Sequence, residues 1–228
     1  MRKSHSRKDF FMKHFITTIS LQLFDDKRPG LQPVLYKNPE KVDFLENEHL
    51  FTHPILVPMK NLAEKGEKIR VSVILTNDPG GFCKHNYELF MKDLNQLRDE
   101  IGFDYGEINE IYVDYAESTA KHLDCFEKII ESINSDELIT ADVTYGNKPT
   151  AIAIQLALTF SYLYVENTEI KALTYGEIDH SAPKSANIYD VSALFYTNML
   201  MAQMTSAQPD DPLGFIKSVL GNGGGEDA

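Results

Sequence analysis

The sequence predicts an α/β fold, a Rossmann-like, mostly parallel six-stranded sheet with helices on both faces. Three observations predict it. Short β-rich runs alternate with amphipathic helical stretches from about residue 14 onward, the signature of βαβ units. At 228 residues and 43% apolar content, the chain can bury one large core. The densest turn chemistry, TNDPGG at 76–81 and TYGNKP at 144–149, directly follows strand-like runs, where a parallel sheet places its loops.

Taken in order, residues 1–13 form a basic extension with five Lys/Arg and one Asp. The β-branched and aromatic run HFITTISL, His14 to Leu21, suits a buried first strand, and Gln22 to Glu48 reads as loop. Pro54 to Glu67 reads as a helix: proline stands at a first helical position and Ile55, Leu56, Met59 and Leu62 at helical spacing. Ile69 to Thr76 is a second strand. His85 to Ile101 carries the stripe Tyr87, Phe90, Leu94, Leu97 and ends at Gly102. Ile108 to Tyr115 is a third strand, and Ser118 or Thr119 caps a helix running through Ile133. Leu138 to Val143 is a fourth strand, leading into an apolar helix from about Thr150 to Val165. Ile170 to Tyr175 and Asn187 to Val191 complete the six strands, ahead of a helix from Ser192 to Met204. Apolar nearly all round through Leu194, Phe195, Met199, Leu200, Met201 and Met204, that helix belongs either in the core or against a second subunit. The main domain thus spans 14–206, and 207–228 holds a C-terminal helix and a tail, GNGGGEDA, of linker composition.

Composition excludes several functions. The net charge is −12, and without residues 1–13 the body carries 17 basic against 33 acidic residues, near −16. Duplex nucleic acid is therefore not an expected partner, since such binding needs a basic surface that releases counterions. A small anionic ligand needs only a few aimed donors. Cys83 and Cys125 form no CxxC pair, so neither a disulfide framework nor a structural zinc is expected, and a reducing cytoplasm is the simplest setting. No secretory signal is expected from MRKSHSRKDFFMKHF. Ala151 to Val165, interrupted by Gln155, Thr159 and Ser161, falls short of the ~20 residues a bilayer span needs. The motifs GxxxxGK[ST], GxGxxG, HExxH and GxSxG are all absent, which disfavours a P-loop NTPase, a dinucleotide dehydrogenase, a zinc hydrolase and a serine hydrolase. No metal and no cofactor is expected.

In an open parallel sheet, ligands bind outside the carboxyl ends of the strands where strand order reverses. Five loops qualify: 20–26, 76–81, 115–119, 144–150 and 175–180. The fourth is the most informative. Thr144, Tyr145, Gly146, Asn147, Lys148 and Thr150 place hydroxyls, an amide, a flexible glycine and a cation just before a helix amino terminus, an end that favours anions. A polar strand-to-helix turn capped by Thr150, with Lys148 in solvent, would read the same way. Asp142 and Asp190, at strand ends, are more ordinary as loop anchors than as acids or bases. His180 and Lys184 lie in a loop able to fold over the site, and Gly80 and Gly81 read as turn glycines.

The strand ITADVTYG followed by NKPT resembles the D-[IV]-T-[HY]-G-x-[KR] segment of CRISPR-associated Rossmann-fold (CARF) domains. ALTYGEID, a spacer and NIYDVSALF resemble the last two strands and following helix of those domains in type III CRISPR effectors. In element order the likeness spans about residues 12 to 205. One departure is the loop ISLQLFDD, which lacks the small Gly-Thr turn often found there, so contacts from it stay open. The resemblance implies a homodimer with a two-fold cradle for a cyclic oligoadenylate, tetra-adenylate ahead of hexa-adenylate, regulating an attached or separate effector in antiviral defence. It implies that Thr144, Tyr145, Gly146, Asn147, Lys148 and Thr150 meet phosphates and ribose. Thr76 and Asn77 would flank an adenine, and Thr18, Ser20 and Gln22 would line the floor. Some relatives cleave the ring without metal, by attack of a ribose 2′-hydroxyl on the adjacent phosphate. Lys148 would then stabilise the developing charge, helped by Ser20 or Thr18. An unrelated Rossmann-like enzyme acting on a mononucleotide is the remaining alternative.

Overall fold

The computed structural model describes residues 11–25, 28–116, 118–179, 185–207 and 209–221. Most of the basic extension, the loop bearing His180 and Lys184, and the tail after Gly221 therefore lie outside the described residues.

The described chain runs β1 (Met12–Thr18), β2 (Phe24–Asp25), β3 (Arg28–Pro29), β4 (Val34–Lys37), a 3-10 turn (Asp43–Leu45), β5 (Leu50–Phe51), α1 (Leu56–Leu62), β6 (Arg70–Asn77) and α2 (Phe82–Ile101). It continues through β7 (Asn109–Asp114), α3 (Thr119–Glu131), β8 (Glu137–Asp142), α4 (Lys148–Tyr164), β9 (Glu169–Asp179), β10 (Ser185–Asp190), α5 (Ser192–Ala207) and α6 (Pro212–Gly221). One mixed sheet has the order β5-β4-β10-β9-β8-β1-β6-β7, and β2 and β3 form a separate ribbon. The strands from β9 to β7 are mutually parallel, while β10 is antiparallel to β9 and β5 to β4.

The α/β class and mostly parallel core follow the sequence expectation; the strand count does not. Eight strands replace six because 22–48, read as loop, contributes β4, which pairs with β10, and part of the β4–β5 hairpin. β4 alternates buried and exposed residues as a half-covered strand does, but at four residues the pattern is too short to stand out.

Among the parallel strands β7-β6-β1-β8-β9, the chain winds outward from β1 first to one side and then to the other, the doubly wound order. Each face carries its own core. Phe15, Ile19, Val71, Val73 and Leu75 pack against α1 and α2. On the opposite face Ile16, Ile74, Ile139 and Ala141 pack against α3, α4 and α5. β1 alternates between these faces and is buried on both, which explains its unbroken β-branched and aromatic run. Phe195 and Met199 lie in the second core, while Leu194, Tyr196 and Met201 of the same helix stay exposed, so α5 is a core helix with an apolar outer side. Among the described residues no helix is long and apolar enough to cross a membrane.

At the amino ends of β1, β6 and β8 a buried polar network ties the strands. His14 Nδ1 donates to Glu137 Oε2 at 2.7 Å, Ser72 Oγ lies 2.7 Å from His14 Nε2, and Arg70 pairs with Glu137. Asn109 donates to Ser72 Oγ at 3.0 Å, so the serine proton faces an unprotonated Nε2. Burial holds His14 neutral. It also works against the Glu137 charge, but the hydrogen bond from His14 and the charge and hydrogen bond of Arg70 outweigh it and keep that carboxyl below the usual range.

Candidate functional site

β1 and β8 are neighbours whose connections leave toward opposite faces, so the switch point lies between their carboxyl ends. The register aligns Thr18 with Ile74 and Ile16 with Ala141, which sets Ser20 and Thr76 about level above the sheet, with the loop after β8 beside them. Gly146 seals the junction. Its φ of +89° is a backbone conformation L side chains rarely adopt, and a Cβ there would stand 2.8 Å from Thr18 Cγ2 and 3.4 Å from Thr150 Cβ.

The loop after β8 is built on Asp142. This carboxylate is fully buried and accepts from Thr144 N at 3.2 Å, Thr144 Oγ1 at 2.9 Å and Thr174 Oγ1 at 3.0 Å. Thr144 Oγ1 in turn accepts from Gly176 N at 2.7 Å, fastening the loop to β9. Burial pushes the Asp142 pKa up to about 6, against hydrogen bonds that favour the charge. Asp142 is thus a strut inside the loop. Asp190 likewise accepts from Ser192 N at 2.9 Å and from its hydroxyl, where α5 begins.

Asn147, not Thr150, caps α4. Its Oδ1 accepts from Thr150 N at 2.9 Å and Thr150 Oγ1 at 2.6 Å. Pro149 has no N–H and Ala151 N bonds Asn147 O at 3.4 Å, so most of the free donors expected at this helix end are already used. That leaves Lys148, the first residue of α4, exposed and without a partner among the described residues, as the cation at this helix start.

Tyr145 turns inward. Its hydroxyl donates to Thr52 O at 3.1 Å and lies 3.4 Å from the Tyr36 hydroxyl, while its ring meets His53 edge-on at 5.1 Å. Thr52 Oγ1 donates to Asp93 at 2.8 Å, so His53 Nδ1 is the donor in the 2.9 Å contact with that oxygen. Among the described residues His53 Nε2 has no partner, and burial drops the His53 pKa to about 3. Tyr145 thus anchors the loop from below instead of offering its hydroxyl to a ligand.

The loop after β1 is also self-engaged. Ser20 is 2% exposed, its Oγ accepts from Gln22 N at 3.0 Å, and Gln22 Nε2 donates to Gly30 O at 2.9 Å. Asn86 of α2 donates to the carbonyls of Ser20 at 2.8 Å and Gln22 at 3.1 Å. Among the described residues three buried oxygens here lack partners: Thr17 Oγ1, Thr18 Oγ1 and Asn86 Oδ1. On β6 next door, Thr76 is half-buried and Asn77 exposed, and Asp78 fixes the start of α2 by accepting from Phe82 N and Cys83 N.

The structure therefore brings Thr18, Thr144, Gly146, Asn147, Lys148 and Thr150 together, with Thr76 and Asn77 on the adjoining strand end. Ser20 and Gln22 serve the local fold, and Tyr145 points away. Asn86, Thr52 and His53, which position these loops, escaped sequence reading because the partners of Asn86 and Thr52 lie 41 to 93 residues away. No protein-family model matches the chain, and no curated protein matches it.

Proposed function

We propose that this chain is a CARF-type sensor that binds a cyclic oligoadenylate, tetra-adenylate in preference to hexa-adenylate, as a homodimer in type III CRISPR defence. The observation that carries the reading is the contact of Gly146 with Thr18. It seats the loop after β8 on the switch point, beside a buried hydroxyl without a partner among the described residues and an exposed cation at a helix start. An acidic protein with one aimed lysine suits a small anionic ring better than a long polyanion. Control of an attached or separate effector, and a cytoplasmic setting, follow from the same family reading.

Ring cleavage is the second reading, and it rests on Lys148, because the Ser20 hydroxyl is buried and already engaged. The decisive experiment is calorimetry with cyclic tetra-adenylate, cyclic hexa-adenylate and a mononucleotide, followed by product analysis after incubation in EDTA. Binding of a ring, lost in Lys148→Ala, supports the sensor; linear products in EDTA add ring nuclease activity. Binding of the mononucleotide alone, or no binding, overturns the proposal.

A further inference from the structure

β7 ends the sheet, and among the described residues it pairs only with β6. Register settles which of its backbone groups face outward. Ile74 O is taken by Ile19 N on the β1 side, so Val73 and Leu75 turn toward β7 and meet Asn109, Ile111 and Val113. Glu110, Tyr112 and Asp114 therefore aim their N–H and C=O groups away from the sheet. In the carboxyl half of this edge Lys128 donates to Tyr112 O at 2.9 Å, and Lys121 pairs with Asp114, the lysine cover that keeps an edge from adding strands. The backbone of Glu110 carries no such cover among the described residues. Two grooves meet there instead, one on each face of the sheet, and Asn109 and Glu110 line both. On the α2 face a groove of about 770 Å³ is walled by Tyr87, Met91, Tyr105 and Glu107. On the α3 face one of about 450 Å³ is walled by Ile111, Lys128 and Glu131.

We propose that the amino half of β7 takes an added strand, a basic, extended peptide segment of a partner protein. The open edge supplies backbone hydrogen bonds. Side chains of an added strand alternate between the two faces of a sheet, so a groove on each face of one edge is the layout that strand addition uses. Charge and aromatic lining set the chemistry of the segment. Glu107 and Glu110 are the charged residues of the groove on the α2 face. The Glu110 carboxylate is fixed in place by the Tyr87 hydroxyl at 2.8 Å and by the Tyr112 hydroxyl. The Tyr105 ring already holds a guanidinium, that of Arg98, 5.7 Å from its centroid, so this wall suits cations. On the α3 face the Lys128 charge is met by Asp124 at 2.8 Å. Glu107 and Glu131 are exposed and hold no ion pair among the described residues, which leaves their charge for a lysine or arginine of the peptide. The opposite end of the sheet, β5, is two residues long and too short for such a contact.

The probe is a capped synthetic peptide of alternating lysine and threonine, about seven residues long as an ordinary strand is, titrated into the full chain. Calorimetry reads affinity and hydrogen exchange reads the location. The lysine peptide should bind and slow exchange of the Glu110 and Tyr112 amides, whereas its counterpart with glutamate for lysine should not bind. N-methylation throughout the peptide keeps every charge but removes the N–H donors, and should weaken binding at least about tenfold. Glu107→Lys and Glu131→Lys, both at exposed positions, should each weaken it by roughly threefold or more while melting stays that of wild type. Three results would overturn the proposal: no binding of the lysine peptide at about 1 mM, slowed exchange that spares Glu110, or an N-methylated peptide that binds as well as its parent, which is diffuse attraction to an acidic protein. Neither groove is lined by a residue of the loop at 144–150, so these outcomes stand apart from whether a cyclic oligoadenylate binds.

Discussion

Replacing Gly146 by alanine tests whether the loop after β8 is seated on β1. Two costs add. At φ +89° an alanine sits in the left-handed region, which costs about 1–2 kcal/mol. Its Cβ would also stand 2.8 Å from Thr18 Cγ2, and Thr18 is buried and cannot swing aside, so the overpacking adds about 1–3 kcal/mol. We expect Gly146→Ala to destabilise the fold by about 3 kcal/mol, a large share of the roughly 5–15 kcal/mol that holds a domain of this kind together. Thr18→Ser removes the opposing methyl and by itself should cost about 1 kcal/mol. In that background the alanine has room, and adding it should cost only the backbone part, a coupling of about 1.5 kcal/mol between the two sites. The four proteins are compared by urea unfolding followed by circular dichroism. The reasoning fails if Gly146→Ala lies within about 0.5 kcal/mol of wild type, or if it costs the same in both backgrounds.

Lys148→Ala should leave stability unchanged, because the side chain is exposed and has no partner among the described residues, yet weaken binding of cyclic tetra-adenylate by about 1.5–3 kcal/mol; unchanged affinity in calorimetry would move the site to another loop. Asn147→Ala should cost about 1–2 kcal/mol of stability, since it strips the cap from Thr150 N and the acceptor from a buried hydroxyl, while Thr150→Val should cost less; equal losses would contradict the capping assignment. Acidification sets two buried groups against each other. His53, with its pKa lowered to about 3, contributes stability that is present above pH 6.5 and falls by about 2 kcal/mol on going from pH 7 to 5, with His14 acting in the same sense. Asp142, raised to about 6, costs stability at pH 7 and returns about 1 kcal/mol over the same interval, so Asp142→Asn should steepen the acid loss by that amount in melts at each pH. Affinity for the ring should fall only modestly between 50 and 200 mM salt, far less than the ~10³-fold or greater loss of a duplex binder, and a steep slope would point to diffuse electrostatics.

What the sequence by itself determined is local. The alternation of β-branched strands with periodic helices is written in near neighbours, and so is the turn chemistry of TYGNKP; both were legible, and they led to the α/β class and to the loop at 144–150. Gly146 was legible as a flexible residue, though not as one pressed against Thr18. Tertiary structure decided whatever depends on partners remote in the chain. β4 is held as a strand between β5 and β10, the latter about 150 residues later. Ser20 looks available in sequence, but Asn86 folds its loop inward, and Tyr145 reads as a ligand hydroxyl until Thr52 accepts its proton. Apolar content left α5 open between core and contact surface; the packing turns Phe195 and Met199 into the core and leaves Leu194 and Met201 of α5, like Ile152 and Leu156 of α4, facing out. Helix periodicity marks which residues share a face, but the face that is covered depends on how the helix lies against the sheet, which no local pattern encodes.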